Sequence, residues 1–354
     1  MWRTASPSRV VFSAHAFDPK AELLPSTTRR TKSLRVVKPG SLELERVRCA
    51  LCGSERSETS ATGEDFEYET SDDTFHFVRC LDCDHQYLDP RPATSALDTI
   101  YPSDYYSFVG TTNPLVALLQ RFWEGGKVRL YGGFVGQGER NLLDVGCGDG
   151  RFLSLLERQG DPQWNPVGLE FDEGAVASCR AKGYEAHCER IEDFAQRPDQ
   201  KNRFDAILML QLLEHVDDPA RVCEHVHTLL KPGGAFIVET PNLGGLDYRL
   251  FAGRWWGHYH FPRHWNLFRL ASLSQLLASK GFEIDRAEYL ISTSSWIISH
   301  RNYFKDRGWP RPWWRFFSYQ NPLLLGLAVI VDQFRIRSGR ETSNMRVIAR
   351  KRAH

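Results

Sequence analysis

In the segment Leu142–Gly150, apolar residues lead into an acid, Asp144, and three glycines at alternate positions, a pattern that suits ligand binding where a strand ends. Asp144 precedes the glycines Gly146, Gly148 and Gly150. Glycines let the backbone turn sharply and approach a ligand without a Cβ atom in the way. A carboxylate here would repel a pyrophosphate, the group that the G-x-G-x-x-G turn binds at a helix N-terminus. The pattern therefore predicts a cofactor with a positively charged end, such as a sulfonium with an α-amino group.

This segment resembles the first motif of class I S-adenosylmethionine-dependent methyltransferases, and the resemblance extends over residues 140–290. It implies that Asp144 and the three glycines hold the methionine end of S-adenosylmethionine. It also implies that Glu170, at the end of a second predicted strand, binds the ribose and that Phe171 lies against the adenine. A Rossmann-like fold that binds NAD, or no cofactor, is the alternative.

Two further segments extend this resemblance. The segment Glu189–Phe194 is similar to the part of the family that follows the third strand, which implies that Ile191 and Glu192 contact the adenine edge. A continuous apolar run, typical of a buried strand, ends at Leu210, and Gln211 follows it at the edge where the cofactor is expected. Leu210 and Gln211 therefore complete the predicted cofactor site.

Four cysteines form two C-x-x-C pairs, Cys49 with Cys52 and Cys80 with Cys83. The intervening chain is long enough for a hairpin that brings the pairs together. Four thiolates suit tetrahedral Zn²⁺ and leave no open coordination position, so the pattern predicts a structural zinc ribbon over residues 45–92. Two chance pairs are the alternative.

A zinc ribbon before such a core resembles a methyltransferase subfamily found with sugar and secondary-metabolite biosynthesis, of which some members C-methylate nucleotide-linked ketosugars. The Pro-Arg-Pro linker of residues 90–92 supports this resemblance, as do Tyr105 and Tyr106. The two tyrosines either cover the substrate cleft or pack the ribbon on the core.

Methyl transfer to oxygen or carbon also requires a base. Glu214 and His215 follow the fourth predicted strand, at the edge where open α/β sheets bind ligands. Methyltransferases of the ubiquinone pathway carry a similar Glu-x-x-Glu-His that holds a divalent metal, but here the first position is Gln211. The pair has either a direct chemical role or a structural one.

The loop of residues 258–268 contains the second candidate, His264. Loops at this edge commonly build the acceptor pocket. His264 resembles a subfamily histidine that is proposed as general base, although Arg263 precedes it where the C-methylating relatives have glutamate. We expect His264 to point into the cleft as base or orienting group; the alternative is a structural tie.

The elements that position these residues are predicted to form a doubly wound, mostly parallel, seven-stranded α/β sheet whose last strand is antiparallel. The predicted organisation is a disordered tail (1–44), the ribbon (45–92), a linker and helical lid (93–139), the cofactor-binding core (140–290), a helical insertion (291–343) and the last strand with a tail (344–354).

The insertion is long for a connection without a function. Residues 296–340 interleave tryptophans and phenylalanines with arginines around the short apolar run Leu323–Val331. Tryptophan and arginine beside a short apolar helix are typical of a peripheral membrane contact. An acceptor lid, a piece of core and a dimer surface are the alternatives, and the oligomeric state stays open.

Composition argues against nucleic acid as a partner. The 354 residues carry a net charge of +1, which gives no electrostatic case for nucleic acid. The cysteine pattern favours a reducing, cytoplasmic compartment, with the inner membrane face as an alternative. We expect methyl transfer from S-adenosylmethionine to oxygen or activated carbon of a small, sugar-based or lipid-linked acceptor. An NAD-dependent oxidoreductase and a zinc-ribbon nucleic-acid-binding protein are the competing hypotheses.

Overall fold

The structure is a computed structural model that describes residues 41–101, 114–318 and 321–352, with the side chains of residues 114–124 excepted. The predicted tail up to residue 40, Tyr105 and Tyr106 lie outside the described residues. The strands of the described part are β1 Leu44–Glu45, β2 Ser57–Gly63, β3 Phe75–Cys80, β4 Gln86–Leu88, β5 Arg91–Pro92, β6 Arg140–Val145, β7 Trp164–Glu170, β8 Glu185–Cys188, β9 Phe204–Leu210, β10 Leu230–Pro241, β11 Asn266–Leu267, β12 Phe282–Leu290 and β13 Asn344–Lys351.

Helices flank these strands. They are α1 Leu97–Ile100, α2 Pro114–Val135, α3 Arg151–Gln159, α4 Glu173–Ala181, α5 Ile191–Phe194, α6 Pro219–Leu229, α7 Leu246–Phe251, α8 Leu270–Ser279, α9 Thr293–Asp306, α10 Arg311–Phe316 and α11 Pro322–Arg337. Asp172 caps α4 and Asp218 caps α6, since each carboxylate accepts a hydrogen bond from a first-turn backbone N–H.

The main sheet has seven strands in the order β12-β13-β10-β9-β6-β7-β8. Strand β13 runs antiparallel to β10 and β12, and the other neighbouring pairs are parallel, as the sequence predicts. Successive side chains of a strand point to opposite faces of the sheet. Leu142 and Leu208 accordingly pack with α2 and α3, whereas Leu143 and Met209 pack with α6 and α8. Helices therefore cover both faces, which is the doubly wound arrangement.

A second, four-stranded sheet lies mostly within residues 45–92, the segment predicted as a ribbon and called the ribbon below. Strands β2 and β3 form the predicted hairpin, and β4 pairs with β3. The fourth strand of this sheet is β11, because Asn266 pairs with Tyr87 and Leu267 with Gln86. Strand β11, which lies in the core segment of the sequence, thus joins the sheet of the ribbon.

Helices α9, α10 and α11 form the insertion between β12 and β13. Both α10 and α11 pack against α9. Within the described ranges, none of the helices combines the length and apolar composition that crossing a bilayer requires.

Candidate active site

The glycine turn follows β6 and leads into α3. Gly146, Gly148 and Gly150 have φ values of 77°, 53° and 81°, the left-handed region that favours glycine. A Cβ atom at Gly148 would meet no atom within 4 Å, so this part of the turn faces open space. A Cβ at Gly150 would lie 2.9 Å from the Cys179 sulfur. The turn thus needs glycine and leaves room for a ligand to approach its backbone.

Two acids flank this turn. Asp144 is buried, and this burial, with smaller contributions from Cys179 and Glu170, raises the pKa of Asp144 to about 8. The Glu170 carboxylate accepts hydrogen bonds from the backbone N–H of Gly148, at 3.1 Å, and of Phe171, at 2.8 Å. A cationic ligand would stabilise the charged form of both acids.

Phe171 lies beside Glu170 with 64% of its surface exposed. Its position at the end of β7, next to the glycine turn, suits stacking on a nucleobase. The glycine turn, the two acids and the exposed ring of Phe171 together fit a nucleoside whose other end is cationic. These residues would therefore hold S-adenosylmethionine.

The other predicted cofactor residues lie at the same sheet edge. The carboxyl ends of β6, β7, β8 and β9 are neighbours in the sheet, and Ile191 begins the helix that follows β8. Glu192 accepts a hydrogen bond from Arg190 at 3.2 Å. Leu210 is buried, and Gln211, with a φ of 59°, donates to Asn344 at 3.1 Å. The fold thus brings these residues to one edge, and their contacts with the cofactor stay a prediction.

Glu214 lies just past this edge and is buried. Its Oε2 atom accepts a hydrogen bond from Thr240 at 2.9 Å, and its Oε1 atom has no hydrogen-bond partner among the described residues. Burial raises the pKa of Glu214 to about 8. A carboxyl group that titrates near neutral pH can both accept and return a proton.

His215 and His264 lie next to each other, with ring centroids 4.5 Å apart. The Nδ1 atom of His264 donates to the carbonyl oxygen of His258 at 2.8 Å, which fixes Nδ1 as the protonated nitrogen of the neutral ring. The Nδ1 atom of His215 lies 2.9 Å from the Tyr101 hydroxyl and 3.1 Å from the Arg263 carbonyl oxygen.

Both rings stay neutral at ordinary pH. Burial, followed by the neighbouring His260, lowers the pKa of His215 to about 3. Burial and the surrounding histidines lower the pKa of His264 well below its usual range. The expectation that His264 points into an open cleft is wrong, because the ring is buried and bonded to the backbone. A short helical turn at Gly257–Tyr259 and the left-handed backbone conformation of His260 directly precede the segment that carries the buried His264.

Glu214, His215 and His264 nevertheless form one cluster, since one ligand atom from each lies within 4.8 Å of the others. One carboxylate and two imidazoles are a donor set that can hold a divalent cation. Gln211 does not add the carboxylate of the ubiquinone-pathway motif, and its amide is bonded to Asn344. The cluster can therefore act as a buried proton acceptor or as a three-ligand cation site.

The four ribbon cysteines also come together. The sulfurs of Cys49 and Cys83 lie 3.4 Å apart, those of Cys52 and Cys80 3.5 Å apart, and all four lie within 4.8 Å of one another. All are free thiols. Zinc–sulfur bonds of about 2.3 Å in a tetrahedron place sulfurs roughly 3.8 Å apart, so this set fits Zn²⁺.

Two buried groups of ion pairs were not predicted from the sequence. Arg263 binds Asp65 of the ribbon and donates to the carbonyl oxygen of Ile100. In the sequence, Arg263 stands out only as a departure from the glutamate of similar enzymes. Glu239, at the end of β10, pairs with Arg346 of β13 and with Lys127 of α2. A charge inside an apolar strand pattern is the signal for this second network.

Comparison with known proteins agrees with this geometry. A family described as "Methyltransferase domain" matches residues 110–287, half of the chain. A probable S-adenosylmethionine-dependent methyltransferase of Mycolicibacterium smegmatis is 31% identical over 150 residues, which cover 41% of this chain and 53% of the relative. The ubiquinone biosynthesis O-methyltransferase of Acinetobacter baumannii is 32% identical over 127 residues, 34% of this chain and 50% of that protein. The chain thus spans about half the length of the curated relatives it matches.

Solved structures are similar at lower identity. A SAM-dependent methyltransferase from Archaeoglobus fulgidus aligns with a TM-score of 0.43 and 17% identity, covering 68% of this chain and 100% of that chain. The geranyl diphosphate C-methyltransferase from Streptomyces coelicolor A3(2) aligns with a TM-score of 0.45 and 13% identity, covering 67% of this chain and 82% of that chain. The family match to residues 110–287 includes the glycine turn and both of its acids. The chain belongs to the class I S-adenosylmethionine-dependent methyltransferase family.

Proposed function

We propose that the chain transfers a methyl group from S-adenosylmethionine to an oxygen or an activated carbon of a small acceptor. The observation that carries this proposal is the turn around Gly148, where Asp144 and Glu170 lie beside the exposed Phe171. When bound, S-adenosylmethionine supplies an electrophilic methyl group on a sulfonium. The buried Asp144 attracts the cationic end of the cofactor. The Glu170 carboxylate accepts hydrogen bonds from the ribose hydroxyls, and Phe171 covers the adenine.

Glu214 is the residue we assign to proton removal from the acceptor. Its pKa of about 8 lies near neutral pH, which is where a general base works best. His215 and His264 remain neutral and bound to backbone carbonyls, so we assign them a positioning role beside Glu214. Of the two predicted candidates, the pair Glu214 and His215 therefore supplies the base, and His264 assists this pair.

The acceptor belongs to the small sugar-based or lipid-linked molecules that the ribbon-containing subfamily suggests. Two observations favour a compact acceptor pocket. The loop that carries His264 is held by the ribbon through β11, and Arg263 ties it to Asp65. Relatives named for ubiquinone biosynthesis support transfer to oxygen.

A structural Zn²⁺ in the ribbon is part of this proposal. Cys49, Cys52, Cys80 and Cys83 would fill its coordination sphere, so the ion would fold the hairpin and take no part in catalysis. Because the ribbon sheet includes β11, the ion would also stabilise the loop of His264.

The direct test is an assay with methyl-labelled S-adenosylmethionine and a panel of catechols, nucleotide-linked ketosugars and polyprenyl-linked sugars. Label transferred to one class, together with one equivalent of S-adenosylhomocysteine, supports the proposal. The Glu170→Ala variant should lose transfer. Binding of NADH in place of S-adenosylmethionine would refute it.

A further inference from the structure

Helix α11 presents large apolar side chains to solvent and turns two charged side chains, Asp332 and Arg335, toward the protein. Leu323, Leu327, Ile330 and Phe334 are 79%, 59%, 66% and 68% exposed, and their spacing places them on one face of the helix. Asp332, on the opposite face, is 1% exposed. This orientation is the reverse of what a helix on the surface of a globular protein shows.

The buried contacts of α11 fix this orientation. Asp332 accepts a hydrogen bond from the backbone N–H of Ser292 at 2.7 Å and one from the Trp296 indole at 2.9 Å. Arg335 donates to the carbonyl oxygen of Glu341 at 2.8 Å. Rotating the helix to bury its apolar face would break these buried and partly buried hydrogen bonds, and a buried polar group without a partner is costly. The hydrogen bonds on the other side of α11 therefore keep its apolar face exposed.

Helix α10 and the turn before it add large exposed aromatic side chains. Trp309, Trp313 and Phe316 are exposed, and Trp309 packs edge-on against Trp313. Helix α10 packs on α9, as α11 does, so one helix carries both groups of exposed apolar side chains. Patches of this kind on a soluble protein mark an interaction site.

The charged residues of this segment are mostly positive. Residues 293–340 contain eight arginines and lysines and two aspartates. Both aspartates are engaged, Asp332 inside the protein and Asp306 with Arg254 at 2.8 Å. The exposed cations are Arg307, Arg311, Arg315, Arg337 and Arg340.

We propose that α10 and the outer face of α11 form a surface that docks on an anionic phospholipid membrane. The apolar face of α11 and the tryptophans would enter the boundary between headgroups and acyl chains, as interfacial helices do. The arginines would bind the lipid phosphates. A dimer through the same face would set arginines of two copies against each other, with no unengaged carboxylate of residues 293–340 to compensate them.

The docking surface is joined to the candidate active site through α9. The backbone N–H of Gly257 donates to the Ser299 hydroxyl at 2.8 Å, and His258 bonds to Ser292 at 2.8 Å. A Cβ atom at Gly257 would lie 2.8 Å from Ile298, so α9 is in direct contact with the loop that carries His264. Docking would therefore hold this loop near the membrane surface.

The test is sedimentation of the full chain with vesicles of phosphatidylcholine alone and with vesicles containing 30% phosphatidylglycerol, at low and high salt. We expect binding to the anionic vesicles only, weakened by salt. The double variants Leu327→Glu/Ile330→Glu and Arg311→Glu/Arg315→Glu should each weaken partitioning at least about tenfold. Leu81→Glu, which alters an exposed leucine of the ribbon, should leave it unchanged.

Folding of each variant is checked by S-adenosylhomocysteine binding, which does not depend on the docking surface. Two results would overturn the proposal. Self-association that Leu327→Glu/Ile330→Glu abolishes, without vesicle binding, would identify a dimer interface. A monomer that binds neither vesicle would show that another part of the chain covers the surface.

Discussion

Arg263 and Asp65 form a buried, two-point ion pair, with Nη1–Oδ1 and Nη2–Oδ2 distances of 3.0 and 2.9 Å. Neither side chain has any exposed surface. Asp65 belongs to the ribbon and Arg263 to the loop of His264, so this pair joins the two parts next to the candidate catalytic cluster. The ribbon is therefore directly bonded to the loop of the candidate catalytic cluster.

Removal of one partner of this pair should be strongly destabilising. Arg263→Ala leaves the Asp65 carboxylate buried without its counter-charge, which typically costs about 3–5 kcal/mol. Urea denaturation followed by circular dichroism measures this loss of free energy of unfolding. Arg56→Ala, which breaks an exposed pair with Asp82, should change it by less than about 1 kcal/mol. Equal effects of the two substitutions would contradict the role of the buried pair.

Low pH should weaken the ion pair between Asp65 and Arg263. Burial alone would raise the pKa of Asp65, but the hydrogen bonds and charge of Arg263 lower it to about 2. A carboxylate whose pKa is lower in the folded state adds stability above its unfolded pKa and loses it as the pH falls toward the folded value. The free energy of unfolding should therefore decrease between about pH 4 and pH 2. Asp65→Asn should lack this part of the pH dependence. If the free energy of unfolding of Asp65→Asn varied with pH as that of the wild type does, the lowered pKa of Asp65 would not be the cause.

Zinc content tests the ribbon. Metal analysis of anaerobically purified protein should find one zinc per chain, and Cys80→Ser should lower it because a thiolate ligand is lost. Cys188→Ser is the matched control, since Cys188 is exposed and lies outside the ribbon cluster. Chelation should loosen residues 45–92 and the loop around β11 before the glycine turn, as hydrogen exchange would show. Full zinc content in Cys80→Ser would exclude the four-thiolate site.

Glu214→Gln tests the assigned base. Loss of a general base typically lowers turnover by about 10²–10⁴-fold, whereas cofactor affinity should stay the same because the proposal assigns Glu214 to the acceptor and not to the cofactor. Turnover of the wild type should rise with pH through about 8, since the ionised carboxylate is the active form. Glu224→Gln, an exposed change on α6, should keep full activity. A Glu214→Gln variant with normal turnover would return the role of base to His215 or His264.

Local patterns were enough to predict the elements, and non-local contacts explain what was missed. The glycine turn, the apolar strands and the C-x-x-C hairpin each depend on neighbouring residues, and their positions follow the sequence. The burial of His264 depends on β11 pairing with a strand about 180 residues earlier in the chain, which no local pattern contains. Likewise, the apolar run of α11 predicts a helix, but the contacts of Asp332 with Ser292 and Trp296 decide which face is exposed.

Calorimetric titration with S-adenosylhomocysteine tests the central claim most directly. The chain should bind one equivalent, and Asp144→Ala and Glu170→Ala should each weaken binding by about 1.5–3 kcal/mol, the usual cost of a lost hydrogen bond to a charged group. Glu173→Ala, an adjacent exposed acid in the first turn of α4, should bind as the wild type does. Absence of binding, or unchanged affinity in both the Asp144 and the Glu170 variants, would contradict a cofactor site at the glycine turn.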